Sequence, residues 1–299
     1  MRSIRRMRLT TTIHRFDRLQ HMLSDAPCRA TLFRSDKKFR DAFVSECSRL
    51  MSDVEVLSLD IFDTLLFRDT SSELTRFHEV ADHIAQIVRE ETGRKVTAED
   101  ALVARHLGTL ATYRTSTPIS GCREGSLTEI YQTASFILTG SNELTPRFIE
   151  AEIKYECQRL ERNDLLLQQA NEFREQGGTV ILVTDMYMHA TQVIDLLSHL
   201  GVDRSTYDDI FSSGDTKVSK ASGGIFRLVE EKMSTVGKKF LHLGDSLLGD
   251  YVQPRRNGWR ALHLPLSQKD VAKRRMDHDR TATYLSENFG LALSIAAPH

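Results

Sequence analysis

Short apolar runs alternate with longer amphipathic stretches over much of this 299-residue chain. Five runs have the length and the content of β-branched and aliphatic residues that buried strands require: VEVLSL from Val54, then TVILVT, DIFSS, KFLHLGD and RALHLP. Stretches with helical spacing of apolar residues separate the later runs. Because parallel strands are joined by crossover connections of this kind, the pattern predicts an α/β fold with a Rossmann-like parallel sheet.

About a hundred residues after the first run have the pattern of helices, and no strand pattern interrupts them. Local start and stop signals mark these helices: Ser72, Gly93, the Thr97–Asp100 and Ser126–Glu129 capping boxes, and Pro146. We therefore expect a helical cap inserted after the first core strand. The predicted organisation is an N-terminal helical extension over 1–52, a core of 53–69 and 165–265, a helical cap over 70–164, and a C-terminal tail or helix over 266–299.

Composition excludes some classes of partner. Lys and Arg number 40 against 41 Asp and Glu, so the net charge of -1 favours neither nucleic acid nor a membrane surface as a partner. No run approaches the ~18 to 20 apolar residues that span a bilayer. The four cysteines are scattered, which predicts no zinc site and no disulfide framework and suits a reduced, cytoplasmic compartment: Cys28, Cys47, Cys122 and Cys157.

The first twenty residues differ from this balance. Six arginines there face only Asp17: Arg2, Arg5, Arg6, Arg8, Arg15 and Arg18. We interpret the segment as a solvated basic helix or a frayed terminus, with an organelle-targeting or polyanion-binding arm as the alternative.

Reactive side chains follow three of the predicted strands. These are Asp60 after the first, Thr184 and Asp185 after the second, and Asp245 with Asp250 after a later one. Lys217 and Lys220 lie between the last two, in a loop rich in Gly and Ser. Because the carboxyl ends of parallel strands share one edge, we expect these groups to converge. Carboxylates with a hydroxyl and an ammonium suit Mg²⁺ and a phosphate-like anion.

Four motifs in this order resemble those of the haloacid dehalogenase (HAD) superfamily. They are LSLDIFDTLLF, VILVTD, SKASGGIF and LGDSLLGD, and the helical insertion stands where that family carries its cap. The stretches DIFDTLLFR, DMYM and SKASGGIF are similar to those of a bacterial branch often found near surface-polysaccharide genes. The resemblance implies a Mg²⁺-dependent hydrolase, and most often a phosphatase acting on a small phosphorylated metabolite such as a sugar phosphate.

The resemblance also implies roles for individual residues. Asp60 would be the nucleophile that forms an aspartyl-phosphate. Mg²⁺ would be held by Asp60, the backbone carbonyl of Phe62 and Asp245, with Asp250 supporting it directly or through water.

Three further residues would contact the substrate in the resembled family. Thr184 would donate a hydrogen bond to a phosphoryl oxygen, with Asp185 beside it. Lys220 would neutralise charge on the nucleophile and the phosphate. Lys217 is the competing lysine, and the position of Lys220 in the motif favours Lys220.

One position departs from the family pattern. HAD phosphatases carry a second Asp two residues after the nucleophile, where this chain has Phe62, and Asp63 follows where most members have Gly. The missing acid/base help is typically worth ~10² to 10⁴ in rate. Three consequences stay open. Asp63 or a cap residue supplies the proton, the leaving group needs none, as in an acyl phosphate or a halide, or the protein binds without catalysis. A turn or capping role for Asp63 is the alternative to catalysis.

Other polar residues have ordinary interpretations. His242 lies within a strand run and is read as a core residue. Five arginines are read as solvated helix faces, with anion binding as the alternative: Arg68, Arg76, Arg105, Arg114 and Arg123. Glu152 and Glu156, one helical turn apart, are expected to pair with cations such as Arg159 rather than to bind a metal.

Overall fold

The computed structural model describes residues 18–295, so the prediction for the basic first seventeen residues lies outside the described part of the chain. Residues 18–24 are helical. The strands are β1 (Val56–Leu59), β2 (Leu66–Arg68), β3 (Leu160–Arg162), β4 (Thr179–Thr184), β5 (Asp209–Ser212), β6 (Phe240–Gly244) and β7 (Arg260–His263). The strands that were predicted from apolar runs are therefore all present, and β2 and β3 are additional.

The helices lie between the core strands, in the insertion and at the two ends of the described chain. They are α1 (Arg29–Ser35), α2 (Lys37–Met51), α3 (Glu73–Thr92), α4 (Ala98–Thr115), α5 (Leu127–Thr139), α6 (Thr145–Arg159), α7 (Asp164–Glu175), α8 (Ala190–His199), α9 (Ser213–Thr216), α10 (Gly224–Lys232), α11 (Gln253–Arg256) and α12 (Gln268–Phe289). A 3₁₀ turn, Arg204–Thr206, and a π-helical turn, Leu247–Val252, complete the regular structure.

Five strands form one parallel sheet in the order β5-β4-β1-β6-β7. The sheet is Rossmann-like, as the sequence pattern predicts. Leu59, the last residue of β1, lies between Leu182 of β4 and Leu243 of β6. The three central strands therefore end at one rim, and the chain leaves the sheet there at the positions that follow each strand.

The helical insertion consists of α3 to α6 and lies between β2 and β3 along the chain. These two strands pair with each other in antiparallel fashion, with Phe67 opposite Glu161. They form a short ribbon at the base of the insertion. The predicted capping boxes of α4 and α5 are present, as are the Ser72 cap and the left-handed Gly93 that ends α3.

A buried ionic network joins the insertion to the core. Arg105 of α4 donates to both carboxylate oxygens of Glu152 in α6 at 2.9 and 2.8 Å. Tyr187, in the loop after β4, donates its hydroxyl to Glu152 at 2.9 Å. The Tyr187 carbonyl also accepts from the Leu127 amide at 2.6 Å. The insertion is thus anchored to the loop that follows a central strand.

The acidic residues of α6 pair with cations, as expected, but Arg159 is not among their partners. Glu152 pairs with Arg105, and Glu156 pairs with Arg76 at 3.3 Å, rather than with Arg159. Arg76 and Arg105 are buried and do not lie on solvated faces. The reason is that both pairs span different helices, which spacing along one helix does not reveal.

The C-terminal segment is helical from Gln268 to Phe289 and ends at Gly290, which adopts a left-handed φ of 65°. The apolar residues that follow, as far as 295, are not helical. Among residues 18–295, no helix is both long enough and apolar enough to cross a bilayer.

Truncating Glu152 should destabilise the fold strongly. Glu152→Ala leaves the buried Arg105 cation without its carboxylate, and such losses cost about 3–5 kcal/mol. Urea denaturation should show this loss in the free energy of unfolding. The control is Glu231→Ala, which removes an exposed pair with Arg227 and should cost about 1 kcal/mol or less. Equal costs for the two variants would contradict a stabilising role for the network.

Candidate active site

Three charged side chains from distant parts of the chain meet at the rim. The Lys220 ammonium lies 2.5 Å from an oxygen of Asp60 and 2.5 Å from an oxygen of Asp250. All three residues are nearly inaccessible, with exposures of 3%, 4% and 0% respectively. A buried charge is tolerated only with partners, so each of these groups depends on the others.

The loop before α10 directs Lys220 into this cluster. Asp185, one residue beyond β4, accepts from the backbone amides of Lys220 at 2.6 Å and Ala221 at 3.0 Å. The Asp185 carboxylate thereby fixes the backbone of the loop that carries Lys220. Lys217 instead pairs with Glu129 at 3.1 Å on the exposed side. Lys220, not Lys217, contacts Asp60.

His242 is a site residue that sequence reasoning missed. Its ring is fully buried, and its two nitrogens contact Ser58 at 2.7 Å and Asp250 at 2.9 Å. Ser58 and His242 are direct partners on the neighbouring strands β1 and β6. A polar residue inside each of two apolar runs was the available signal. The hydrogen bonds from Ser58 through His242 hold the Asp250 carboxylate, which Lys220 also contacts.

Glycine at position 244 lets Asp250 approach the end of β6. A Cβ atom built on Gly244 would lie 2.3 Å from Cγ of Asp250, a separation that real Cβ atoms do not reach. Asp250 also accepts from the Ser246 amide at 2.8 Å, which closes the π-helical turn around it. The motif LGDSLLGD therefore places its second acid against the backbone of its own strand.

Three carboxylates can supply oxygen ligands to one ion. One oxygen each of Asp60, Asp245 and Asp250 lie within 4.8 Å of one another. The Oδ2 atom of Asp60 is buried and has no hydrogen-bond partner among the described residues. A hard divalent cation such as Mg²⁺ prefers such oxygens, so the residues present fit the metal.

The electrostatics of the cluster follow from burial and like charge. Burial, reinforced by the Asp250 charge and opposed by Lys220, raises the pKa of Asp60 to about 6. Burial and the negative charge of Asp60 also raise the pKa of Asp245 well above its usual range. A bound divalent cation would act in the opposite direction on both, because it favours the ionised carboxylates.

Lys220 and Asp250 are both held in their charged forms. Burial alone would lower the pKa of Lys220, but the charges of Asp250 and Asp60 raise it. Burial alone would raise the pKa of Asp250, but the Lys220 charge and the His242 hydrogen bond lower it.

Asp63 lies in a tight turn and is held by an arginine from the C-terminal helix. Its φ is 58°, a left-handed conformation that explains why glycine suits this position. Arg274 donates to both carboxylate oxygens at 2.8 and 2.7 Å. The Arg274 charge lowers the pKa of Asp63, although burial opposes it. These contacts favour the turn role over proton donation.

The Asp63 turn is also bound from the N-terminal side. Arg29 of α1 is 2% exposed and donates to the Asp63 carbonyl and, at 2.7 Å, to the Leu264 carbonyl. Sequence reasoning missed both Arg29 and Arg274, because neither belongs to a motif or lies near Asp60 along the chain.

Two further predicted residues lie at the same rim. Thr184 is the last residue of β4, is 2% exposed and pairs in register with Ser212. Phe62 is buried in the loop after β1, with the Arg68 guanidinium 4.4 Å from its ring centroid. The position where the resembled phosphatases carry a second acid is therefore apolar and covered by a cation.

The Asp63–Arg274 pair should behave as one structural unit. Asp63→Asn and Arg274→Met should each lower the free energy of unfolding by about 3–5 kcal/mol, since each leaves a buried partner charge unpaired. The double variant should lose less than the sum of the two, because both single changes remove the same interaction. Urea denaturation of the four proteins gives the coupling energy. Strictly additive losses would exclude the pairing.

Gly244→Ala should weaken metal binding, because the added methyl group displaces Asp250. A loss of about 10- to 100-fold in Mg²⁺ affinity is expected, as for other changes that misplace metal-binding side chains. Isothermal titration calorimetry measures the affinity. The control is Gly93→Ala in the insertion, where the added atom meets nothing within 4 Å and the cost is backbone strain at a φ of 70°, so the Mg²⁺ affinity should not change. Equal affinity in Gly244→Ala and the wild type would remove Asp250 from the ion site.

Comparison with known proteins gives no match to a family model and none to a curated protein. Several solved structures are similar. The proposed HAD-hydrolase YfnB of Bacillus subtilis, bound to magnesium, is 17% identical over 69% of this chain and 86% of its own, with a TM-score of 0.41. The 2-haloacid dehalogenase of Pseudomonas syringae pv. Tomato DC3000 is 14% identical over 70% and 85%, with a TM-score of 0.48.

A proposed β-phosphoglucomutase of Thermotoga maritima is 20% identical over 69% of this chain and 82% of its own, with a TM-score of 0.42. These TM-scores are below 0.5, so the fold is assigned from the strand order and from the rim where the motifs meet. The parallel sheet, the helical insertion after β1 and the four convergent motifs give this chain the Rossmann-like fold that the haloacid dehalogenase resemblance implies.

Proposed function

We propose that this protein is a Mg²⁺-dependent hydrolase that uses Asp60 as its nucleophile and acts on a small phosphorylated metabolite. The observation that carries the proposal is the buried Lys220 ammonium, which contacts Asp60 and Asp250 at 2.5 Å each while the second oxygen of Asp60 stays without a partner. One oxygen of the nucleophile is thus fixed, and the other is available to react.

Each residue of the site would have its own role in phosphoryl transfer. Asp60 attacks phosphorus through a carboxylate oxygen and forms an aspartyl-phosphate, while the bond from phosphorus to the leaving oxygen breaks. Lys220 screens the repulsion between the carboxylate and the phosphate dianion, which matters most in a site from which water is excluded. Thr184, at the end of the adjacent strand, is the hydroxyl that would donate to a phosphoryl oxygen. Asp185 and His242 position these groups without contacting the substrate.

The metal would be held by Asp60, Asp245 and Asp250, with the backbone carbonyl of Phe62 as a fourth ligand. Mg²⁺ would supply positive charge to the phosphoryl oxygens. Asp245 is half-buried, whereas Asp60 and Asp250 are buried.

The insertion would control access to the rim. Asp60, Thr184 and Lys220 are all at most 4% exposed, so a substrate reaches them only after the surrounding chain moves. We expect the insertion to move, and to act as a cap that closes over the substrate and sets specificity. Its contacts with the core through Tyr187 would re-form on closure.

A second reaction is favoured by one observation. Phe62 carries no proton, and Asp63 is committed to Arg274, so a leaving group that needs no protonation suits the site. Hydrolysis of a carbon–halogen bond by Asp60 has that property. A third possibility, from the sequence, is a phosphate- or protein-binding module without catalysis.

Replacing the nucleophile tests the proposal directly. Asp60→Asn should lower Mg²⁺-dependent hydrolysis of an activated aryl phosphate by more than about 10³-fold, because an amide does not form the covalent intermediate. EDTA should abolish the wild-type activity, which added Mg²⁺ should restore. Asp279→Asn, an exposed change on α12, is the matched control and should keep full activity.

The assay should include a panel of sugar phosphates, the class suggested by the sequence resemblance, and a 2-halo carboxylic acid. Release of halide without release of phosphate would favour the dehalogenase reaction. No turnover of any compound together with no Mg²⁺ binding would favour the binding module.

A further inference from the structure

The guanidinium of Arg68 lies beside two strand ends of the site. Arg68 is the last residue of β2, and its Cζ atom is 4.4 Å from the centroid of the Phe62 ring, two residues after Asp60. One of its terminal nitrogens is 4.0 Å from the sulfur of Met186, two residues after Thr184. The cation therefore stands over the loops that follow β1 and β4, the strands that carry the proposed nucleophile and hydroxyl.

The Arg68 side chain makes fewer polar contacts than the other arginines that surround the turn after β1, although its charge also acts on Asp63. Arg274 gives both terminal nitrogens to Asp63, and Arg29 gives both of its own to main-chain carbonyls. Arg68 forms no ion pair with any residue between 18 and 295, and its Nε is buried without a hydrogen-bond partner there. A buried donor without an acceptor is unfavourable. The position is therefore suited to an anionic acceptor that a ligand brings.

The acidic groups near Asp60 are occupied. The Asp63 carboxylate is held by Arg274, and the Asp250 carboxylate is held by Lys220 and His242. Phe62 has no proton to give. Asp245 belongs to the proposed ion site, and Asp63 and Asp250 are held by cations, so none of these three carboxyl groups is a free acid for a departing oxygen.

We propose, on the basis of the function proposed above, that the leaving group departs as a stable anion whose charge Arg68 takes up. The substrate class is an acyl phosphate or a phosphoanhydride, because the carboxylate or phosphate that they release needs no proton. Asp60 oxygen forms a bond to phosphorus, the bond from phosphorus to the bridging oxygen breaks, and the electron pair stays on the departing oxygen.

The second half of the reaction has the same character. The aspartyl-phosphate is itself an acyl phosphate, so its hydrolysis again releases a carboxylate, that of Asp60. Water oxygen bonds to phosphorus, and both water hydrogens end on the dihydrogen phosphate product. The cycle therefore closes without a general acid in either step, which matches the apolar Phe62.

The test is the dependence of rate on the basicity of the leaving group. Wild-type kcat/KM is measured for acetyl phosphate, 4-nitrophenyl phosphate, phenyl phosphate and glycerol phosphate at saturating Mg²⁺. The rate should fall steeply along this series, with glycerol phosphate at least about 10²-fold slower than acetyl phosphate, the size of the missing acid catalysis. A flat series would overturn the proposal and leave the hydrolase itself intact.

Arg68 variants identify the group that accepts the charge. Arg68→Gln should lower kcat/KM for acetyl phosphate by about 10²-fold, as the loss of one charge-stabilising donor does, and Arg68→Lys should restore part of it. Arg162→Gln, on the partner strand of the same ribbon, is the matched control and should not differ from wild type. An equal slowing of every substrate by Arg68→Gln would contradict the proposal.

Glu124 in the insertion provides the discriminating variant. Burial raises the pKa of this carboxyl, which lies near Ser213, Ser219 and Asp185. Glu124→Gln should leave the slope of the series unchanged. A selective loss of glycerol phosphate turnover in this variant would identify Glu124 as a proton donor and overturn the proposal. Absence of turnover for all four compounds in the wild type would instead remove the phosphatase function itself.

Discussion

The site depends on one ammonium group placed between two carboxylates. Lys220 contacts Asp60 and Asp250 in surroundings where all three side chains are nearly inaccessible. Desolvating three charges costs several kcal/mol each, and their attraction offsets that cost only when the geometry is close. The neighbouring features serve this geometry. Asp185 holds the loop that carries Lys220, and Gly244 lets Asp250 reach the strand end.

The turn that follows the nucleophile is held from both ends of the chain. Arg29 precedes Asp63 by 34 residues, and Arg274 follows it by 211, yet both bind the same turn. The N-terminal and C-terminal helices therefore stabilise the conformation in which Asp60 projects from β1. This explains why a non-glycine residue is tolerated at a left-handed φ, since the carboxylate of Asp63 gains two hydrogen bonds from Arg274 there.

The convergence of Asp60, Lys220 and Asp245 was predictable because strand ends of a parallel sheet share one rim whatever the side chains do. The β2–β3 ribbon was not predictable, because strands of three residues carry no periodic signal and pair across the whole insertion. Arg274 was missed for a similar reason. It lies on a polar helix whose spacing says nothing about a partner two hundred residues away. The only sequence signal for His242 is a polar residue within an apolar run, and that pattern does not predict a particular role.

The charges around the rim do not balance among themselves. Asp63 is neutralised by Arg274, and Lys220 supplies one positive charge to the pair formed by Asp60 and Asp250. Asp245 has no ion pair with the residues between 18 and 295. The negative charges of Asp60, Asp63 and Asp250 oppose its ionisation. Even with the charge of Arg29 nearby, the three carboxylates of the proposed ion site carry a negative excess when they are ionised, and a divalent cation matches it in sign. A phosphate dianion would then restore the negative excess, and the proposed role of Arg68 is to offset that charge when the substrate is bound.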